Sequence, residues 1–312
     1  MKFYRVFIVL FFSIGLSLGQ AVAKSYKGGF DVTDALVPIE NILPGGPPKD
    51  GIPSIDKPKF IPADKVDFLV PEDRVLGLSY NGHIKAYPIA IMNWHEIVND
   101  RFGSQSIAIT FCPLCGTGIA FKAEQNDKQL SFGVSGLLYN SDMLLYDRDT
   151  ESLWSQIKMQ AISGKFKGNR LQPIALRHTS WSDWVERYPR TQVLSEDTGY
   201  SRNYRRSPYG DYEKNRAIYF PVEFAAQGYH PKERVLGVNI GGVSKAYPFA
   251  ELAKTSGRIN DSVGGQIIEI EYDIDHETAT AQDSEGRTIP TITAFWFAWY
   301  TFHPDTQLFQ ME

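Results

Sequence analysis

Residues 74–90 read RVLGLSYNGHIKAYPIA and residues 234–250 read RVLGVNIGGVSKAYPFA, with ten of the seventeen positions identical. Each stretch carries an apolar run, a turn at Asn81-Gly82 or Gly241-Gly242, and a second run ending at Tyr-Pro. That pattern is a β-hairpin. The match resumes after one inserted residue: Asn99-Asp100 recurs as Asn260-Asp261, and Ile107–Phe111 (IAITF) as Ile268–Tyr272 (IEIEY). Each copy therefore predicts strand, turn, strand, short helix and a further strand. Aromatic residues make up 13% of the chain, which favours strands. The expected fold is a β-rich α+β protein in which two related repeat copies pack together in one globular unit.

Working outward, the first copy is expected over residues 71–215, with inserted strands, and the second over 216–312. Ahead of them lies a proline-rich arm, residues 24–70. Eight of the eighteen prolines fall between Pro38 and Pro71, which rules out regular helix there. Ile42, Leu43, Ile52, Ile55, Phe60 and Ile61 are interspersed, so the arm is expected to lie ordered on the main body. Residues 1–23 read as a secretory signal peptide: Lys2 and Arg5, an apolar stretch from Val6 to Leu18, then Ala21-Val22-Ala23. The mature protein is then expected to be periplasmic or secreted, with no stable membrane span after signal removal. Formal net charge is −4, and losing Lys2 and Arg5 makes it more negative, which argues against a nucleic-acid partner.

The repeat also allows a comparison within one chain. The only two cysteines, Cys112 and Cys115, lie in Ser106–Phe121 (SIAITFCPLCGTGIAF), on a turn between two strand patterns. Their counterparts in the second copy are Asp273 and His276, and His95 has Thr255 or Ser256 opposite it. The scaffold is shared while the thiols and His95 belong to one copy. Pro88 opens a helix on which Ile91, His95 and Val98 share one face, so His95 is expected to point inward near the thiols.

Three chemistries remain open for Cys112-Pro-Leu-Cys115. A C-P-x-C-G turn between strands suits a metal knuckle, with His95 as third ligand and Met143 and His303 as further candidates. Two thiolates with an imidazole or thioether suit Cu(I), or Zn(II) if histidines complete the set. The alternative is a thiol-disulfide oxidoreductase acting on a redox partner protein, with one cysteine attacking, the other resolving and His95 tuning the thiolate. A structural or interaction module with an idle disulfide is the third. Neither a nucleotide nor a c-type haem is expected; Gly116, not histidine, follows Cys115. Three further features read as structural first. These are the acidic turn Asp147, Asp149 and Glu151, the tyrosine- and arginine-rich segment Tyr200–Tyr219, and the aromatic run Thr293–Phe302, expected as a buried strand. Asp273, Asp275 and His276 would make a surface cation site if they drew together.

Trp94–Asp100 (WHEIVND), Cys112–Gly116 (CPLCG), Phe132–Tyr139 (FGVSGLLY), Tyr146–Arg148 (YDR), Ser152–Gln156 (SLWSQ) and Phe302–Pro304 (FHP) together resemble the domain-of-unknown-function family 3179 (DUF3179). The resemblance spans roughly residues 45–309. It implies a secreted or periplasmic prokaryotic protein and carries no established activity.

Overall fold

A computed structural model describes residue 1 and residues 24–311. The expected signal peptide over 1–23 lies almost wholly outside the described residues. Strand accounts for 41% of the chain and helix for 12%, arranged as a five-bladed β-propeller-like ring. The apolar alternation in the repeats places these strands, because each buries one face against a neighbouring sheet.

Blade 1 holds the hairpin Arg74–Tyr80 and His83–Pro88, flanked by Arg177–Ser180, Gln192–Leu194 and Phe60–Pro62. Blade 2 holds Ile97–Phe102, Gln105–Cys112 and Thr117–Lys122, with Pro173–Ile174 at its edge. Blade 3 is built from Phe132–Tyr139, Asp142–Asp147, Leu153–Ser155 and Gln160–Ala161, and Ile42–Pro44 completes it. Blade 4 contains Arg234–Ile240, Val243–Pro248, Ile292–Phe295 and Gln307–Leu308. Blade 5 contains Arg258–Val263, Gln266–Asp273, Thr278–Asp283 and Thr288–Ile289. The proline-rich arm thus lends edge strands to blades 1 and 3, where a missing N–H costs least.

Blades 1 and 4 share their registers. Val75 pairs with Pro88 as Val235 does with Pro248, and the parallel strand beside each hairpin puts Gln192 on Lys85 and Gln307 on Lys245. Helices Trp181–Arg187 and Trp296–Phe302 follow equivalent strands. Trp184 and Trp299 each donate an indole N–H to Thr191 or Thr306 at 2.9 Å. Each indole lies over a glycine, Gly77 or Gly237, where a Cβ would come within 2.2 Å of the ring. Glycine is required there for the close approach. In both copies a lysine and a tyrosine of the hairpin converge on one aspartate: Lys85 and Tyr87 on Asp100, Lys245 and Tyr247 on Asp261.

Two expectations are corrected. The run Thr293–Phe302 is a strand only to Phe295, after which Trp296–Phe302 is helical. A continuous apolar run has no period to separate the two, and the indole–glycine packing selects the helix. The helix after Pro88 spans Ile89–His95 and stops at Glu96, which takes the left-handed conformation with φ 58°. Val98 therefore sits in a strand and shares no helical face with His95. Among the described residues no helix is long and apolar enough to cross a membrane.

Candidate metal centre

Cys112 ends the strand Gln105–Cys112 and pairs across the turn with Thr117; Asp273 pairs with Thr278 in the same way in blade 5. The turn is closed by the Cys115 amide donating to the Cys112 carbonyl at 3.1 Å. Gly116 follows with φ +60°, and the Phe295 amide donates to the Cys115 carbonyl at 2.8 Å. The fourth blade therefore clamps the thiol turn of the second. Both cysteines are buried and unbridged.

Facing them is the tip of blade 3. Strands Phe132–Tyr139 and Asp142–Asp147 are joined by Asn140 and Ser141, with φ 53° and 63°. Two successive left-handed residues make the tight hairpin turn whose twist suits its strands. The Ser141 carbonyl accepts from both thiols, at 3.8 Å from Cys112 Sγ and 3.4 Å from Cys115 Sγ. Asp142 comes next and is fully buried. Its Oδ2 accepts from the Ser155 hydroxyl at 2.9 Å and the Ile157 amide at 3.1 Å, while its Oδ1 has no partner. Ligand atoms of Cys112, Cys115 and Asp142 lie within 4.8 Å of one another.

Among the described residues two more buried oxygens, like Asp142 Oδ1, lack partners. Gln156 spends its amide N–H groups on the Thr110 hydroxyl and the Thr117 carbonyl, leaving Oε1 unpaired. The Tyr212 hydroxyl is also unpaired, with Lys232 Nζ 3.7 Å from its ring centroid. Native interiors pair nearly all such groups.

Burial dominates the electrostatics. It pushes the Asp142 carboxyl up to about 7 against three or more hydrogen bonds that favour the anion. It drives the Cys115 thiol well above its ordinary value, and the neighbouring Cys112, Asp142 and Glu96 add to that rise. Glu96, also buried, is pushed up to about 7, partly offset by the Tyr209 hydroxyl donating to its Oε1 at 2.9 Å. Burial thus favours the protonated forms of Cys115, Asp142 and Glu96.

The third group at the thiols is Asp142, where the sequence pointed to His95. His95 is buried, but its Nδ1 bonds the Pro53 carbonyl at 2.8 Å and its Nε2 the Tyr204 hydroxyl at 2.7 Å. Both ring nitrogens are engaged, pinning the proline-rich arm and the tyrosine-rich segment to the helix. His303 lies elsewhere, its Nδ1 3.1 Å from the Ser244 hydroxyl and its ring stacked 4.0 Å from Trp299. Met143 belongs to the same buried cluster as both cysteines. Asp142, Glu96, Gln156 and Tyr212 were missed. The available sign was the position of Asp142 directly after the Asn140-Ser141 turn.

The remaining acidic features have structural partners. Asp147 accepts from the Trp154 indole at 3.0 Å and from Thr150. Asp273 and His276 draw together with Asp183 rather than with the expected Asp275, and Asp183 is paired with Arg177 at 2.9 Å and Arg187 at 2.6 Å. Asp273 Oδ1 meanwhile caps the amides of Asp275 and His276.

No curated protein and no solved structure matches the chain. Residues 49–289 match the family described as "Protein of unknown function (DUF3179)", and the chain belongs to that family.

Proposed function

We propose that the protein binds one metal ion through the thiolates of Cys112 and Cys115 and the carboxylate of Asp142. The observation that carries this reading is the fully buried Asp142, which offers a carboxylate oxygen within 4.8 Å of both sulfurs and whose Oδ1 has no partner among the described residues. Three anionic groups can ionise together in such a place only around a cation. Binding then releases the protons that burial favours on Cys115 and Asp142. Two thiolates and a carboxylate suit Zn(II) better than Cu(I), which prefers an all-soft set. Cu(I) held by Cys112, Cys115 and the thioether of Met143 is the second reading, favoured by the place of Met143 in the same buried cluster.

The oxidoreductase alternative needs an accessible thiolate of lowered pKa. Here the two cysteines are 1% and 0% exposed, and burial raises the thiol of Cys115. The third alternative, a structural module, has no use for the unpaired carboxylate oxygen of Asp142.

The reading also fits a periplasmic or secreted home, which rests on the leader at 1–23: in an oxidising compartment, adjacent thiols stay reduced when a metal occupies them. The shared registers, the matched Trp–Thr bonds and the matched lysine–tyrosine–aspartate clusters support descent from one duplicated two-blade unit. Blade 3, inserted between the copies, brings Asp142 to the thiol turn of the first. Metal analysis of protein purified without oxygen tests the proposal. One equivalent of zinc is expected, lost in Cys112→Ser and Cys115→Ser. Metal-free wild-type protein overturns it, and disulfide reductase activity in that protein would establish the alternative.

A further inference from the structure

A cavity of about 510 Å³ opens beside the dithiol centre. Its inner wall is made by Leu114 from the cysteine turn, Met143 next to Asp142, and Glu96. All three are buried, apart from slight exposure of Glu96 and Leu114 at 6% and 7%. Ile52 of the proline-rich arm closes one side. The mouth carries the exposed Arg202, whose guanidinium lies 5.7 Å from the Trp94 ring centroid.

The volume is that of a small-molecule site, within the range of about 300–1,000 Å³. Its walls are mostly apolar, with Arg202 the single cation among the lining residues and Glu96 the single acid. Glu96 is occupied by the Tyr209 hydroxyl and held toward its neutral form by burial. Arg202 is steered by the indole beneath it and, among the described residues, has no acidic partner and donates one bond, to the Ser201 carbonyl. A planar guanidinium at the mouth of an apolar chamber is complementary to a carboxylate on an apolar body.

We infer that this cavity binds a small organic carboxylate, its head at Arg202 and its apolar body against Leu114 and Met143. The chamber shares the cysteine turn with the proposed metal centre, but its own contacts with a ligand run through Arg202, Leu114 and Ile52, none of them a proposed metal ligand. The two readings therefore fail separately.

The test is calorimetric titration of the full chain, as purified and after chelation, with 2-naphthoate and with the neutral 2-naphthalenemethanol. Ile52→Trp fills the chamber from the arm, and Arg202→Ala removes the cation from an exposed position. Unchanged thermal unfolding of each variant guards against misfolding. Saturable one-to-one binding of 2-naphthoate is expected. It should weaken at least about tenfold in Ile52→Trp and about threefold in Arg202→Ala, the size of an exposed charge pair. The alcohol should bind the Arg202 variant and the wild type equally. No saturable binding in either form of the wild type overturns the inference, as does unchanged affinity in a folded Ile52→Trp variant. Equal loss of acid and alcohol in Arg202→Ala overturns the placement of the head.

Discussion

Replacing Asp142 by asparagine separates what the carboxyl does for binding from what it costs the fold. Burial moves the group from its ordinary 3.8 to about 7. Between those values the unfolded chain has released the proton and the folded one still holds it. Stability of the metal-free protein therefore falls as pH rises through this window, levelling off above about 7. At about 1.36 kcal/mol per pH unit, the whole interval amounts to about 4 kcal/mol. Asparagine has nearly the same shape, can still accept from Ser155 and Ile157 through its oxygen, and does not ionise. Its NH₂ group takes the place of the unpartnered Oδ1, which adds an offset that does not vary with pH. In urea unfolding of chelator-treated proteins, the stability of Asp142→Asn relative to wild type should thus rise by about 3 kcal/mol between pH 5 and pH 7.5. With excess zinc the wild type should gain more stability than Asp142→Asn, which keeps the two thiolates but loses the carboxylate, by mass action. A difference independent of pH would refute the burial argument.

Gly77→Ala and Gly237→Ala should each destabilise the protein by about 3 kcal/mol, because the new methyl meets Trp184 or Trp299 at 2.2 Å and the indole is held by its bond to threonine. Thermal unfolding measures this, and a loss below about 0.5 kcal/mol in both would show that the indoles are free to move. His95→Ala breaks bonds to the arm and to Tyr204 and should cost about 2 kcal/mol with metal content unchanged. A variant of ordinary stability without metal would restore His95 to the ligand set.

How much of this could be read from the sequence depends on periodicity. The hairpins Arg74–Pro88 and Arg234–Pro248 were legible because alternation and turn residues agree over both copies. The ring was not, since sheet order depends on contacts between strands far apart in the chain. The aromatic run ending at Phe302 concealed a helix. Yet Trp296 and Trp299 stand relative to Pro304 and Thr306 as Trp181 and Trp184 do to Pro189 and Thr191, a third stretch of the repeat that the aromatic density hid.

At the site, the sequence isolated the two cysteines because two thiols on one turn are chemically distinct from their surroundings. It could not choose among the groups that meet them. His95 comes one hairpin strand ahead of the strand that delivers Cys112, but the left-handed Glu96 ends its helix and the ring is spent on Pro53 and Tyr204. Asp142 comes from a separate blade, and its place directly after a turn, the one sign the sequence offered, is shared by many ordinary aspartates. The arm and the tyrosine-rich segment also acquire their roles through distant contacts, as walls of the cavity and partners of His95.

X-ray absorption at the edge of the bound metal reads the ligand set directly. For zinc, a first shell of two sulfurs at about 2.3 Å and at least one oxygen at about 2.0–2.2 Å is expected, with the protein oxygen removed in Asp142→Asn and the shell untouched in His95→Ala. A shell without sulfur, or one whose imidazole signal disappears in His95→Ala, would contradict the dithiol–carboxylate centre.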